Sequence, residues 1–241
     1  PKGMDIKKKN FINPLIKEIS NIYFCHSEID KEIIKNENIK EIYIIGYPRY
    51  DNFKTQRDHL KKNILFLPSI ANQNRTIPNK QIENFLNNFK NQLSKYNFFL
   101  KPHPMYSLNK KIMSIVHNHD IKILSQDVNL GSYYDLADYV ICNNTGPFFS
   151  SIFIEKQTII LNEIKDNFHP LINKIYNKYK NYYYAGEEKT HLLFKEDGFS
   201  KNFWIEQKKI RKKFKNELFK NSPENGSKVC CKYLNEIILD K

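Results

Sequence analysis

Short apolar runs recur along this chain with amphipathic stretches between them, and most of the runs are apolar at consecutive rather than alternate positions. Consecutive apolar positions belong to strands covered on both faces, so the pattern predicts βα units stacked into a parallel sheet. Strands are expected at 22–25, 42–45, 64–67, 98–100, 121–124, 139–142 and 158–161. Helices are expected between them at 28–36, 52–61, 80–93, 109–118 and 147–155, with a shorter segment at 132–136. Pro48 and Pro68 close two of the strands, since proline fixes its own φ and biases the preceding residue to extended backbone. Beyond Asn162 the pattern changes to a Tyr-rich stretch and helices, the last at 227–239.

The expected fold class is therefore α/β, a Rossmann-like parallel sheet with helices on both faces. Residues 1–50 read as the end of a preceding domain plus a linker, because a basic stretch runs straight into a helix and strand. Residues 51–241 read as the sheet domain with C-terminal helices, the boundary falling near 46–51.

Composition narrows the function classes. The apolar share of 40% is enough for a core, while the longest apolar runs are only a few residues, far short of the roughly 20 a membrane-spanning helix needs. No apolar segment follows the first basic residues, so no signal peptide is read there. Cys25, Cys142, Cys230 and Cys231 have neither metal nor disulfide spacing, which suggests reduced thiols and a cytoplasmic protein. No metal site and no cofactor is expected.

A net charge of +13 raises nucleic acid as a partner. The charge is spread out, however, and aromatics are not interleaved with basic residues as a stacking platform requires, so nucleic acid is set aside. The one dense cluster, residues 208–220, carries Ile210, Phe214, Leu218 and Phe219 at helical spacing. Its basic face has three readings: a solvated surface, contact with anionic lipid headgroups, or attraction of a polyanionic substrate.

In open α/β sheets ligands bind beyond the carboxyl ends of the strands, which points to the loops 68–75, 101–105, 125–131 and 143–147. Ser69 lies in the first. In the second, Pro102 and Pro104 remove backbone freedom around His103, and Lys101 adds a positive charge. An imidazolium held there would donate to, or protonate, a phosphate oxygen, so His103 and Lys101 are the candidate catalytic residues. In the fourth, Asn143, Asn144, Thr145 and Gly146 lead into a helix with Pro147 at its first turn. A helix amino terminus attracts anions, and Gly146 admits a close phosphate. Together the two loops describe a diphosphate cradle. Arg49 sits on a rigid turn near the presumed domain junction, where its alternative is a pairing with Asp51. Glu155, at the end of the following helix, is the candidate for sugar or ribose hydroxyls, its alternative being an exposed helix carboxylate.

These segments resemble, in order, motifs of the CDP-glycerol glycerophosphotransferases of teichoic-acid and capsule synthesis. Gly46-Tyr47-Pro48-Arg49-Tyr50-Asp51 resembles the family's GYPRND segment, and Ile64–Ser69 its strand ending in A-P-T. Lys101-Pro102-His103-Pro104 is similar to its K/R-x-HP motif, and Ala137–Ile141 to its A-D-x-hydrophobic strand. Glu224-Asn225-Gly226-Ser227 is like its D-G-x-[AS] turn before a closing helix. The resemblance implies the C-terminal half of a GT-B architecture, in which residues 1–50 end an acceptor-side domain and residues 51–241 form the nucleotide-donor-binding domain, with a CDP-activated polyol phosphate as donor and His103 on the donor phosphates. It also implies a glycan or lipid-linked acceptor at the inner membrane face, where the protein would be peripheral. A second histidine, from an H-G-[ST]-P-x-K motif of which Pro1-Lys2-Gly3 would be the tail, would activate the acceptor. Asn143–Gly146 stands where the family has D-Y-S-S, and Glu155–Thr158 where it has L-K-K-P. Nucleotide-sugar GT-B glycosyltransferases and UDP-sugar epimerases therefore stay open as alternatives.

Overall fold

A computed structural model of the chain describes residues 21–35, 39–51, 62–68, 77–89, 95–103, 107–142, 146–161, 169–183 and 201–239. Among the described residues seven strands run β1 (Ile22–Cys25), β2 (Glu41–Ile44), β3 (Asn63–Leu67), β4 (Asn97–Leu100), β5 (Lys122–Ile123), β6 (Tyr139–Cys142) and β7 (Gln157–Ile160). The helices are α1 (Glu28–Ile34), α2 (Ile77–Phe89), α3 (Lys110–Asn118), α4 (Leu130–Tyr134), α5 (Gly146–Phe153), α6 (Pro170–Tyr179), α7 (Lys201–Leu218) and α8 (Gly226–Leu239). The helix expected at 52–61 lies outside the described residues. The short segment expected at 132–136 is α4, two residues earlier, because the Asn129 side chain accepts from the Gly131 amide and starts the helix there.

Backbone contacts divide the chain into two compact units, residues 1–51 with 166–175 and 216–241, and residues 52–165 with 176–215. The C-terminal helix α8 thus groups with the N-terminal residues. The reason is local. Asp51 caps α8, accepting from the Gly226 amide at 2.7 Å and the Ser227 amide at 2.5 Å, and Tyr43 of β2 packs on Tyr233 with ring centroids 4.5 Å apart. Two of the quoted motifs are therefore the two halves of one corner. Gly46 has φ of +72°, and a Cβ there would lie 2.6 Å from the Pro223 carbonyl oxygen; one on Gly226 would lie 2.4 Å from that of Ile45. Within this unit β1 and β2 pair in parallel, and Ser27 caps α1 by accepting from the Asp30 amide.

The larger unit is a parallel sheet of order β5-β4-β3-β6-β7. The chain builds outward from β3 through β4 to β5, then crosses back to β6 beside β3 and continues to β7. All five residues of β3 are buried, as expected of a central strand with both faces covered. On one face Ile64, Phe66, Phe98, Leu100, Ile141 and Ile159 meet Ile82, Phe85 and Phe89 of α2 and Ile112 and Val116 of α3. On the other, Thr158 donates its hydroxyl to Ser151 of α5 at 2.9 Å. Phe148 of α5 packs there with Tyr176, Tyr183 and Phe214.

Candidate functional site

Because β3 pairs with β4 on one side and β6 on the other, the strand order reverses between β3 and β6. The carboxyl ends of those two strands flank the place where a doubly wound sheet opens a crevice. The register sets Leu67 level with Cys142, and the Lys101 amide donates to the Phe66 carbonyl at 3.1 Å, so β4, β3 and β6 finish side by side. With strands ~4.8 Å apart, the β4 and β6 ends lie ~10 Å from each other, close enough for side chains from both to reach one diphosphate. Ser69 after β3, and Asn143, Asn144 and Thr145 after β6, lie outside the described residues. Gly146 opens α5 and directs that helix's amino terminus to this edge.

Lys101 has a definite job at this edge. It is 8% exposed, and its ammonium donates to the carbonyls of Ser125 at 2.7 Å and Gln126 at 3.1 Å. It also sits 5.2 Å above the Tyr133 ring. Desolvation draws its pKa below the ordinary range, and the Asp127 carboxylate opposes this. Gln126 in turn donates its side-chain amide to the His103 carbonyl at 3.2 Å. The loop after β4 is thus tied to the loop after β5, which leaves the His103 imidazole exposed at the edge of the sheet. Tyr134, fully buried in α4, donates its hydroxyl to the Pro147 carbonyl at 2.9 Å and ties the first turn of α5 to the same assembly. Cys142, at the end of β6, is fully buried, and burial pushes its thiol well above the ordinary range; it is a packing residue.

Glu155 does not join this group. Its helix starts at the carboxyl edge and runs ~12 Å away from it, and β7 begins two residues later, so Glu155 lies where the strands start. It ends α5 in the left-handed region (φ 59°), with the Lys156 amide reaching back to the Ser151 carbonyl at 2.9 Å. Its carbonyl accepts from Arg211 at 2.6 Å and its carboxylate pairs with Lys215 at 3.0 Å. Helix direction thus places Glu155 at the amino edge of the sheet, away from His103. Arg49 is exposed on a 3₁₀ turn, Pro48–Tyr50, of the other unit. Asp51, the alternative partner for Arg49, has both carboxylate oxygens on the amides of α8.

Sequence reasoning missed two polar groups. At the amino edge of the sheet, buried Asp138 accepts from the Asn63 amide at 2.8 Å, while the Asn63 side chain donates to the Leu136 carbonyl and accepts from Asn97. The Ala137-Asp138 motif therefore fixes how β6 registers on β3. In the smaller unit His26 ends β1, its Nδ1 2.7 Å from the Gly46 carbonyl oxygen and its ring stacked on Tyr47 at 3.9 Å. The signal for His26 was its position at a strand end, the same signal that singled out His103. Among the described residues no cluster of three His, Cys, Asp or Glu side chains can hold a metal, and no helix is long and apolar enough to cross a membrane.

No known protein-family model matches the chain, and no curated protein matches it. Among solved structures, its backbone is similar to the S. aureus MnaA–UDP co-structure, at 11% identity and a TM-score of 0.46 over 88% of this chain and 57% of that one. It is also similar to the crystal structure of TarM, at 14% identity and a TM-score of 0.43 over 94% of this chain and 47% of that one. The chain spans about half the length of these structures.

Proposed function

We propose that the five-stranded unit binds the diphosphate of a nucleotide-activated donor beyond the carboxyl ends of β3 and β6. In this reading the chain is part of a GT-B transferase that passes the activated group to a hydroxyl of a cell-surface glycan or lipid-linked acceptor. The supporting observation is the sheet order β5-β4-β3-β6-β7, with the His103 loop anchored on one side of β3 and the α5 amino terminus on the other. His103 would donate to a phosphate oxygen as charge develops on the leaving nucleotide, and the α5 amides would share that charge. Lys101 acts as a positioning residue, since its ammonium holds the loop that holds His103. Ser69, Asn143, Asn144 and Thr145 remain proposed ligands; Glu155 does not.

Two donors fit. A nucleotide sugar, used by a glycosyltransferase or an epimerase-like enzyme, stands first because it asks only for the diphosphate cradle. A CDP-activated polyol phosphate is favoured by the motif resemblance, but asks in addition for a second histidine from the motif of which Pro1-Lys2-Gly3 would be the tail. Calorimetric titration with UDP and CDP tests the proposal. Saturable binding supports it, uridine preference selects the nucleotide sugar, and cytidine preference selects the polyol phosphate. No heat from either ligand at millimolar concentration would contradict both.

A further inference from the structure

Helix α7 buries one face and presents another that the donor site does not use. Gln207, Arg211, Phe214 and Leu218 turn inward, while Lys208, Lys209, Lys212 and Lys213 are exposed. With 3.6 residues per turn these four lysines fall on one side of the helix, and Ile205, 43% exposed, lies on the same side one turn earlier. Residues 208 and 212, 209 and 213, and 209 and 212 stand three or four apart, the spacing at which like charges repel along a helix. Among the described residues none of the four has an ion pair; Glu206 is the one exposed acid beside them, a turn before Lys209. Salt screens this repulsion in solution, and an external anionic surface would relieve it further by supplying the counter-charge.

We propose that this face of α7 docks on an anionic lipid bilayer, the lysines on the headgroups and Ile205 at the apolar boundary. Three features favour a bilayer over nucleic acid. The exposed cations are all lysine, compact hydrated charges suited to a diffuse anionic plane, whereas the segment's one arginine faces inward onto the Glu155 carbonyl at 2.6 Å. No aromatic ring stands among the exposed residues from Ile205 to Lys213 to stack on a base. An exposed apolar side chain at the start of the basic stripe has a place in a membrane interface and none on a phosphate backbone.

The test is co-sedimentation of the whole chain with phosphatidylcholine vesicles, with and without phosphatidylglycerol. The wild type is expected to bind only the anionic vesicles and to be released by salt. Each lysine at such a surface strengthens partitioning about fivefold. The quadruple variant Lys208→Gln, Lys209→Gln, Lys212→Gln, Lys213→Gln should therefore bind at least ~100-fold more weakly, with an unchanged circular dichroism spectrum. A charge-matched control, Lys40→Gln, Lys110→Gln, Lys122→Gln, Lys228→Gln, should keep most of the binding. Equal loss in both variants would assign binding to net charge and overturn the proposal. So would wild-type indifference to anionic vesicles, or tighter binding to single-stranded RNA than to vesicles at the same salt.

Discussion

Asp51 places one carboxylate oxygen on each of the first two amides of α8, where the helix carries partial positive charge and has no internal partners for those donors. Replacing it with alanine should cost ~1–2 kcal/mol in a denaturant titration of the chain. Gly226, on the same turn, decides a sign. Alanine is favoured over glycine inside a helix by ~1 kcal/mol. A Cβ at this position, however, would sit 2.4 Å from the Ile45 carbonyl oxygen and 2.8 Å from the Pro48 nitrogen, backbone atoms that cannot swing aside. Gly226→Ala is therefore expected to destabilise, by ~2 kcal/mol or more; a neutral or stabilising result would mean that the two segments do not meet as described. Sequence pattern marked both segments but not their union, because nearly 180 residues separate partners that only the folded chain brings together. For the same reason the sequence offers Asp51 only Arg49, two residues away, as an alternative partner.

At the level of elements, β7 is the edge of the sheet among the described residues, and an edge strand left bare invites pairing with another chain. Here Gln207 of α7 stands in for the missing strand. Its side chain accepts from the Thr158 amide at 3.1 Å and donates to the Thr158 carbonyl at 2.6 Å and the Tyr182 carbonyl at 3.2 Å. The Ile160 amide finds the Tyr183 carbonyl at 2.9 Å. Gln207 is fully buried, so Gln207→Leu would strand three backbone groups and should cost ~3 kcal/mol. The Thr158 amide should lose its hydrogen-exchange protection in the same variant. The parallel strands themselves were legible, since consecutive apolar residues can only be buried on both faces. Gln207 was not, because it stands next to a lysine-rich run that reads as a solvent face, and only the turn of α7 shows that one side of that run is dry. Glu155 misled for a related reason: its place at a helix end was plain, but which edge of the sheet that end meets depends on helix direction.

For the molecule as a whole, the proposed function rests on one edge of the larger unit, where β4, β3 and β6 end together. The loops beyond β4 and β5 and the start of α5 are held by hydrogen bonds from Lys101, Gln126 and Tyr134. In the proposed reading this arrangement orders His103's backbone so that its exposed ring can meet the ligand, which is how a pre-organised electrostatic site is built. Sequence position alone singled out Lys101 and His103 as neighbours at a strand end; the division of labour between them is visible only in the fold, because it depends on carbonyls of Ser125 and Gln126 that no motif records. The most direct test follows the His103 ring in the histidine-labelled chain by ¹⁵N NMR as UDP or CDP is added. The account predicts that the His103 nitrogens shift and saturate with the Kd found by calorimetry, and that His103→Ala weakens that Kd ~10-fold or more, as loss of a charge-assisted hydrogen bond requires. Nucleotide binding that leaves the His103 nitrogens unmoved would contradict it.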